Sequence, residues 1–113
     1  MEKLRIYNKA LELVSEIYLL IKKNKSLRCD FSLNDQLKRA SISIVANIAE
    51  GYKRSNKHFI NFLQIASGSA NEVVALLQIT NLVHNINTEK VQNSFIILGK
   101  QIYALTQKLR SNS

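Results

Sequence analysis

The chain has 113 residues, 46% of them hydrophobic, with 16 lysines and arginines against 8 acidic residues and a formal net charge of +8. That length accommodates one domain with one core, and the apolar fraction excludes a disordered polymer. Zero prolines and three glycines exclude a turn-rich β architecture and point to helix, because both residues interrupt helical interiors.

Hydrophobic spacing predicts four helices, at about residues 3–24, 33–54, 57–83 and 88–110. In the first, Leu4, Tyr7, Leu11, Val14, Tyr18 and Ile21 recur at steps of three and four, and Leu13, Ile17 and Leu20 widen the stripe enough to touch two neighbours. Asn8, Lys9, Glu12 and Glu16 interrupt this segment, so it fails as a secretory signal. No stretch approaches the roughly 18 consecutive apolar residues of a membrane helix. A cytoplasmic location without a membrane partner is expected, and the single cysteine, Cys29, excludes an internal disulfide framework.

The segment NKSLRCDFS breaks the pattern, and Ser32 with Asp35 three residues on reads as a capping box. The second helix then presents Leu33, Leu37, Ala40, Ile44, Asn47 and Gly51 to the core. Ser55 or Asn56 caps the third, which carries Phe59, Phe62, Ala66, Ala70, Val73, Leu77 and Thr80 inward and ends at HNINT. Val91, Phe95, Leu98, Ile102, Leu105 and Leu109 mark the fourth. Helices of roughly 20 residues, each about 30 Å long, joined by short connections predict an all-α, antiparallel up-down-up-down four-helix bundle, one domain over residues 1–113.

The series Gln36, Arg39, Ala40, Ser43, Ile44, Asn47, Ile48, Ala49, Glu50, Gly51 and Arg54, followed by Phe59, Phe62, Leu63, Ala66, Gly68, Ser69 and Glu72, resembles the four-helix-bundle family of 23S rRNA intervening-sequence proteins. The resemblance covers essentially the whole chain and is strongest over the second and third helices. Such proteins commonly carry a proline before the ANIAEG-like run; this chain has Val45 there, which removes the reason to expect a kink. The resemblance implies a homo-oligomer, with a five-membered ring favoured because similar proteins form one. It also implies two possible settings: insertions in large-subunit rRNA genes, or accessory roles beside reverse transcriptases in diversity-generating retroelements. Family likeness supplies fold more readily than function.

Charge placement is an independent clue. Between Phe59 and Asn87 there is no lysine or arginine, and Glu72 is the one acid. A helix whose outer positions are Asn61, Gln64, Ser67, Asn71, Gln78 and Asn81 is poorly dressed for water, so the third helix is expected at or near a subunit interface; an uncharged solvent face is the alternative. Within it, Ala66, Gly68 and Ser69 allow close backbone approach, with Ala46, Ala49 and Gly51 of the second helix expected to face them. Asn47, Glu50 and Glu72 then sit near tight packing, where they fix register or assembly or, less readily, touch a ligand. Glu50–Arg54 and Asp35–Arg39 are spaced for ion pairs one turn apart.

Antiparallel order collects the chain termini and the turn between helices two and three at one end. Lys3, Arg5, Lys53, Arg54, Lys57, Lys108 and Arg110 stand there against Glu2 and Glu50, seven cations to two carboxylates and a formal +5. Five cations against three acids leave the other end at +2. Clustered cations attract phosphate backbones by counterion release without reading sequence, and Tyr52 among them offers a ring for stacking; a solvated basic end and a packed tyrosine are the plainer readings. His58, His84 and Cys29 have no metal-ligand spacing, and Ser41, Ser43, Ser67 and Ser69 lack a nearby histidine base. Neither catalysis nor a cofactor is expected. Two functions remain: sequence-tolerant binding of RNA or DNA, RNA favoured, through the basic end of a homo-oligomer, or an assembly scaffold that docks on a protein partner.

Overall fold

The computed structural model describes residues 1–112, which form five helices and no strand: α1 (Glu2–Lys23), α2 (Lys25–Cys29), α3 (Phe31–Gly51), α4 (Asn56–His84) and α5 (Glu89–Ser111). The four long helices correspond to the four read from the sequence. The additional α2 is a single helical turn in the segment expected to be irregular, and Leu27, wholly buried, ties it to the core. The helices pack side by side as a bundle measuring 47 × 20 × 19 Å. α3 packs most extensively on α4 and α4 on α5, while α1 lies more lightly against α3 and α5.

Start and stop signals explain most boundaries. Asp30, two residues before the expected capping box, caps α3: its carboxylate accepts the Leu33 N–H at 3.2 Å. Ser32 is already helical, and its hydroxyl accepts from the Gln36 amide at 3.0 Å. At α4, Ser55 is the cap, receiving the His58 N–H at 3.4 Å. α4 ends because Asn85 turns left-handed, with φ of 56°, a conformation that asparagine tolerates better than most residues. With Val45 in place of a proline, α3 runs unbroken from Phe31 to Gly51.

One apolar core runs through the bundle. Leu13, Ile17, Leu37, Ile44, Ile48, Leu63, Leu77, Leu98 and Ile102 are completely or almost completely buried, with Phe59 and Phe95 among them. Burying each such side chain contributes about 1.5–3 kcal/mol. The stripe that α1 buries is Ile6, Ala10, Leu13, Ile17 and Ile21. Of the expected residues Leu13, Ile17 and Ile21 are buried and Tyr7, Val14 and Leu20 half-buried, whereas Leu4, Leu11 and Tyr18 are between 43% and 51% exposed, which shifts the centre of the stripe toward Ile6 and Ala10. α1 is apolar over more than one face, and its lighter packing leaves the second face open.

The ASGSA run also packs differently from expectation. Ala66, Ser69 and Ala70 are buried, but a Cβ added to Gly68 would meet nothing within 4 Å, and Ala46 and Ala49 are exposed. The close approach between α3 and α4 is made by Ser43 and Ser69, whose hydroxyls are 2.9 Å apart, and by Gly51. A Cβ on Gly51 would lie 2.8 Å from both Phe59 Cδ1 and Phe62 Cβ, so the bare backbone at the end of α3 is the seat for the first turn of α4.

Candidate functional site

Three separate pieces of chain meet at one end of the bundle, and each brings cations. Glu2, at the start of α1, accepts the Lys108 ammonium of α5 at 2.5 Å. That ammonium holds the Glu2 carboxyl below the usual carboxylate range. One residue on, the Lys3 ammonium lies 5.2 Å from the Phe59 ring centroid and 5.8 Å from that of Tyr52, within reach of cation–π attraction. The termini of α1 and α5 are thereby brought to the turn Tyr52–Ser55 between α3 and α4.

That turn is short because Gly51 lets the phenylalanines of α4 close on it and because the Arg54 N–H returns to the Gly51 carbonyl at 3.0 Å. The Arg54 guanidinium pairs with Glu50 and covers the Phe62 ring at 5.4 Å. Arg110 donates to the Gln107 side-chain carbonyl at 2.8 Å. Among the described residues Lys53 and Lys57 form no ion pair and are exposed, whereas Arg5 stands close enough to Glu2 to help lower its carboxyl. Tyr52 is half-exposed; its ring lines a shallow groove with Leu4, Tyr7, Ala49 and Lys53.

A polar strip lies between α3 and α4. Gln36, Arg39, Ala40 and Ser43 line a groove with Ser69 and Glu72. Below it, the Asn47 amide donates to the Ser43 carbonyl at 2.8 Å and to its hydroxyl at 3.1 Å, extending the chain from Ser69 through Ser43. Asp35 and Arg39 are 3.7 Å apart, at the spacing foreseen. Of the expected packing residues, Gly51, Ala66 and Ser69 are buried, Asn47 is half-buried, and Glu50, Gly68 and Glu72 are exposed.

One pair escaped the sequence reading. His84 Nε2 is 2.8 Å from the Asp30 carboxylate, joining the end of α4 to the start of α3. The hydrogen bond from His84, reinforced by the Leu33 amide, holds the Asp30 carboxyl below its ordinary value. The partners are 54 residues apart, and no local spacing rule connects them. Cys29, beside Asp30, is exposed. Among the described residues no three metal-ligating side chains come together, and no helix is long and apolar enough to cross a membrane.

The family model for the 23S rRNA-intervening sequence protein matches residues 2–107. The chain belongs to that family. A similar solved structure, from Bacteroides thetaiotaomicron VPI-5482, is that of a protein of unknown function from the S23 ribosomal protein family. It is 28% identical, with a TM-score of 0.85 over 95% of this chain and 99% of that one. No curated protein matches. In this intervening-sequence family member, Gln36, Arg39, Ser43, Asn47 and Glu50 rise along α3 at steps of three and four. They form the side of α3 that looks toward α4, with Ser69 and Glu72 across from them.

Proposed function

We propose that this protein is a non-enzymatic, self-assembling bundle whose four long helices run up-down-up-down and whose basic end binds nucleic acid, RNA in preference, without reading its sequence. The observation that carries the reading is the meeting of Lys3, Arg5, Lys53, Arg54, Lys57, Lys108 and Arg110 around the Glu2–Lys108 and Lys3–Tyr52 contacts. Two of these cations, Lys53 and Lys57, form no ion pair with a carboxylate among the described residues. Tyr52 at their edge supplies a stacking face. The family's description, 23S rRNA-intervening sequence protein, favours RNA. A ring of copies, five by the family resemblance, repeats the basic end around an axis and raises the field that a phosphate backbone meets.

Binding of RNA and DNA oligonucleotides measured across a salt titration tests this reading. Each phosphate contact contributes about 0.7 to the slope of log K against log salt for single strands and about 0.9 for duplexes. Replacing Lys53, Arg54 and Lys57 together by glutamate should lower that slope by roughly 2 to 3 and abolish binding at physiological salt, with helix content unchanged. Absent or salt-insensitive binding by the native protein refutes it.

A second reading, an assembly scaffold for a protein partner such as a reverse transcriptase, draws on the outer face of α5, where Ile96, Ile97 and Tyr103 are exposed. Recovery of a defined protein partner after nuclease treatment, through α5, would favour it over the first.

A further inference from the structure

The groove between α3 and α4 differs from the basic end in that both signs of charge line it. It measures about 360 Å³ and lies between Gln36, Arg39, Ala40 and Ser43 of α3 and Ser69 and Glu72 of α4. Five of these six side chains are polar. Arg39 and Glu72 stand on opposite walls, and no ion pair joins them. The one carboxylate near Arg39 is Asp35, at 3.7 Å with both side chains mostly exposed, and a pair so open to water holds its arginine weakly. Glu72 is exposed and has no cationic partner among the described residues.

Counting hydrogens adds a donor. The Ser43 and Ser69 hydroxyls are 2.9 Å apart and share one hydrogen bond, while the Asn47 amide donates to the Ser43 oxygen at 3.1 Å. Whichever serine donates to the other, the second hydroxyl hydrogen has no acceptor among the described residues. It is free to turn into the groove that both serines line. The Gln36 side-chain nitrogen donates to the Ser32 hydroxyl at 3.0 Å, which leaves its carbonyl oxygen as a further acceptor. One groove therefore offers a guanidinium fork, a hydroxyl donor, a carboxylate and an amide oxygen.

A carboxylate beside a phosphate-binding arginine repels a nucleic-acid backbone unless the ligand also brings it a hydrogen-bond donor. Ribose within a strand brings one and deoxyribose does not, because the 2′-hydroxyl is both donor and acceptor; a carboxylate on a ribose hydroxyl is a recurring contact in nucleotide sites. We propose that this groove takes one ribose–phosphate unit of an RNA strand, with the phosphate on Arg39 and the 2′-hydroxyl between Glu72 and the free serine hydrogen. This rests on the nucleic-acid reading above and supplies what the basic end lacks. Lysine and arginine meet the phosphates of RNA and DNA alike, whereas the groove tells the sugars apart without touching a base edge. Arg39 lies 15 residues before Arg54, about 22 Å along the helix axis. Ser43, Asn47 and Glu50 mark the row between them, so one strand reaches from the basic end to the groove within a few nucleotides.

Fluorescence anisotropy on the full chain, with single strands of RNA, DNA and 2′-O-methyl RNA of one sequence, decides the matter. The native protein should favour RNA over DNA by about 2- to 12-fold, the worth of one hydrogen bond, and 2′-O-methyl RNA, which has lost the donor, should bind no better than DNA. Glu72→Ala should bring the two affinities together while DNA binds more tightly, since a repelling charge has gone. The position is exposed and alanine favours helix, so the fold is kept; a damaged fold would weaken both strands instead. Glu72→Gln, which retains an acceptor, should keep part of the preference. Arg39→Ala should weaken RNA binding and lower its salt slope by about 0.7. A native protein that binds neither strand overturns the nucleic-acid reading and this assignment with it. Equal binding of RNA and DNA by the native protein, or a preference unchanged in Glu72→Ala, overturns the groove alone. So does a Glu72→Ala effect confined to adenosine 5′-monophosphate, which would make the groove a site for free nucleotides.

Discussion

Gly51→Ala is the sharpest test of how the basic end is built. The new Cβ would lie 2.8 Å from Phe59 Cδ1, 2.8 Å from Phe62 Cβ and 3.2 Å from Phe62 Cδ2, where carbon atoms rest at about 3.5–4.0 Å. Relief requires a movement of roughly 0.7 Å or more. Neither neighbour yields easily. Phe59 is fully buried, and Phe62 Cβ is fixed to the α4 backbone, so rotating the ring cannot move it away. Overpacking of this kind costs about 1–3 kcal/mol. Alanine's better helix propensity offsets at most about 1 kcal/mol, and less at the last helical residue. A net loss of about 1–2 kcal/mol is expected, lowering Tm by roughly 4–8 °C. Urea and thermal melts by circular dichroism, at one protein concentration, measure it. Gly99→Ala is the control: its Cβ would meet Ala70 Cβ at 3.9 Å, an ordinary contact, and should stabilise by up to about 1 kcal/mol. If Gly51→Ala melts at or above the native temperature, the close seating of α4 on Gly51 is refuted.

Acid stability should depend on Asp30. Its carboxyl is held below the ordinary value in the folded chain by His84 and the Leu33 amide, so the unfolded chain binds the proton first on acidification. The stabilisation is therefore present above the unfolded carboxylate value and lost as pH falls through the lowered folded one. Asp30→Asn, which can still cap α3, should flatten the acid side of a plot of urea midpoint against pH. A separate test concerns Thr88, whose buried hydroxyl donates to the Leu77 carbonyl at 2.8 Å and accepts from the Gln92 amide at 2.8 Å. Thr88→Val should cost about 1–2 kcal/mol in urea melts, because it removes both hydrogen bonds; a neutral outcome would show that this connection is not pinned by the hydroxyl.

Periodicity made the long helices legible, because each buries a stripe at steps of three and four and the connections lack competing patterns. It could not rank two stripes on one helix. On α1 the series beginning at Leu4 is the more regular, yet the bundle buries Ile6, Ala10, Leu13, Ile17 and Ile21, since burial is decided by where α3 and α5 stand. Short-range signals failed in a similar way near Asp30. The Ser32–Asp35 spacing fits a capping box, but the Asp30 carboxylate two residues earlier accepts the Leu33 amide first. α2 was invisible because one leucine has no period. The basic end needed both kinds of information: sequence supplied the cations, and the bundle's connectivity was required to bring Glu2 to Lys108 and Lys3 to Tyr52.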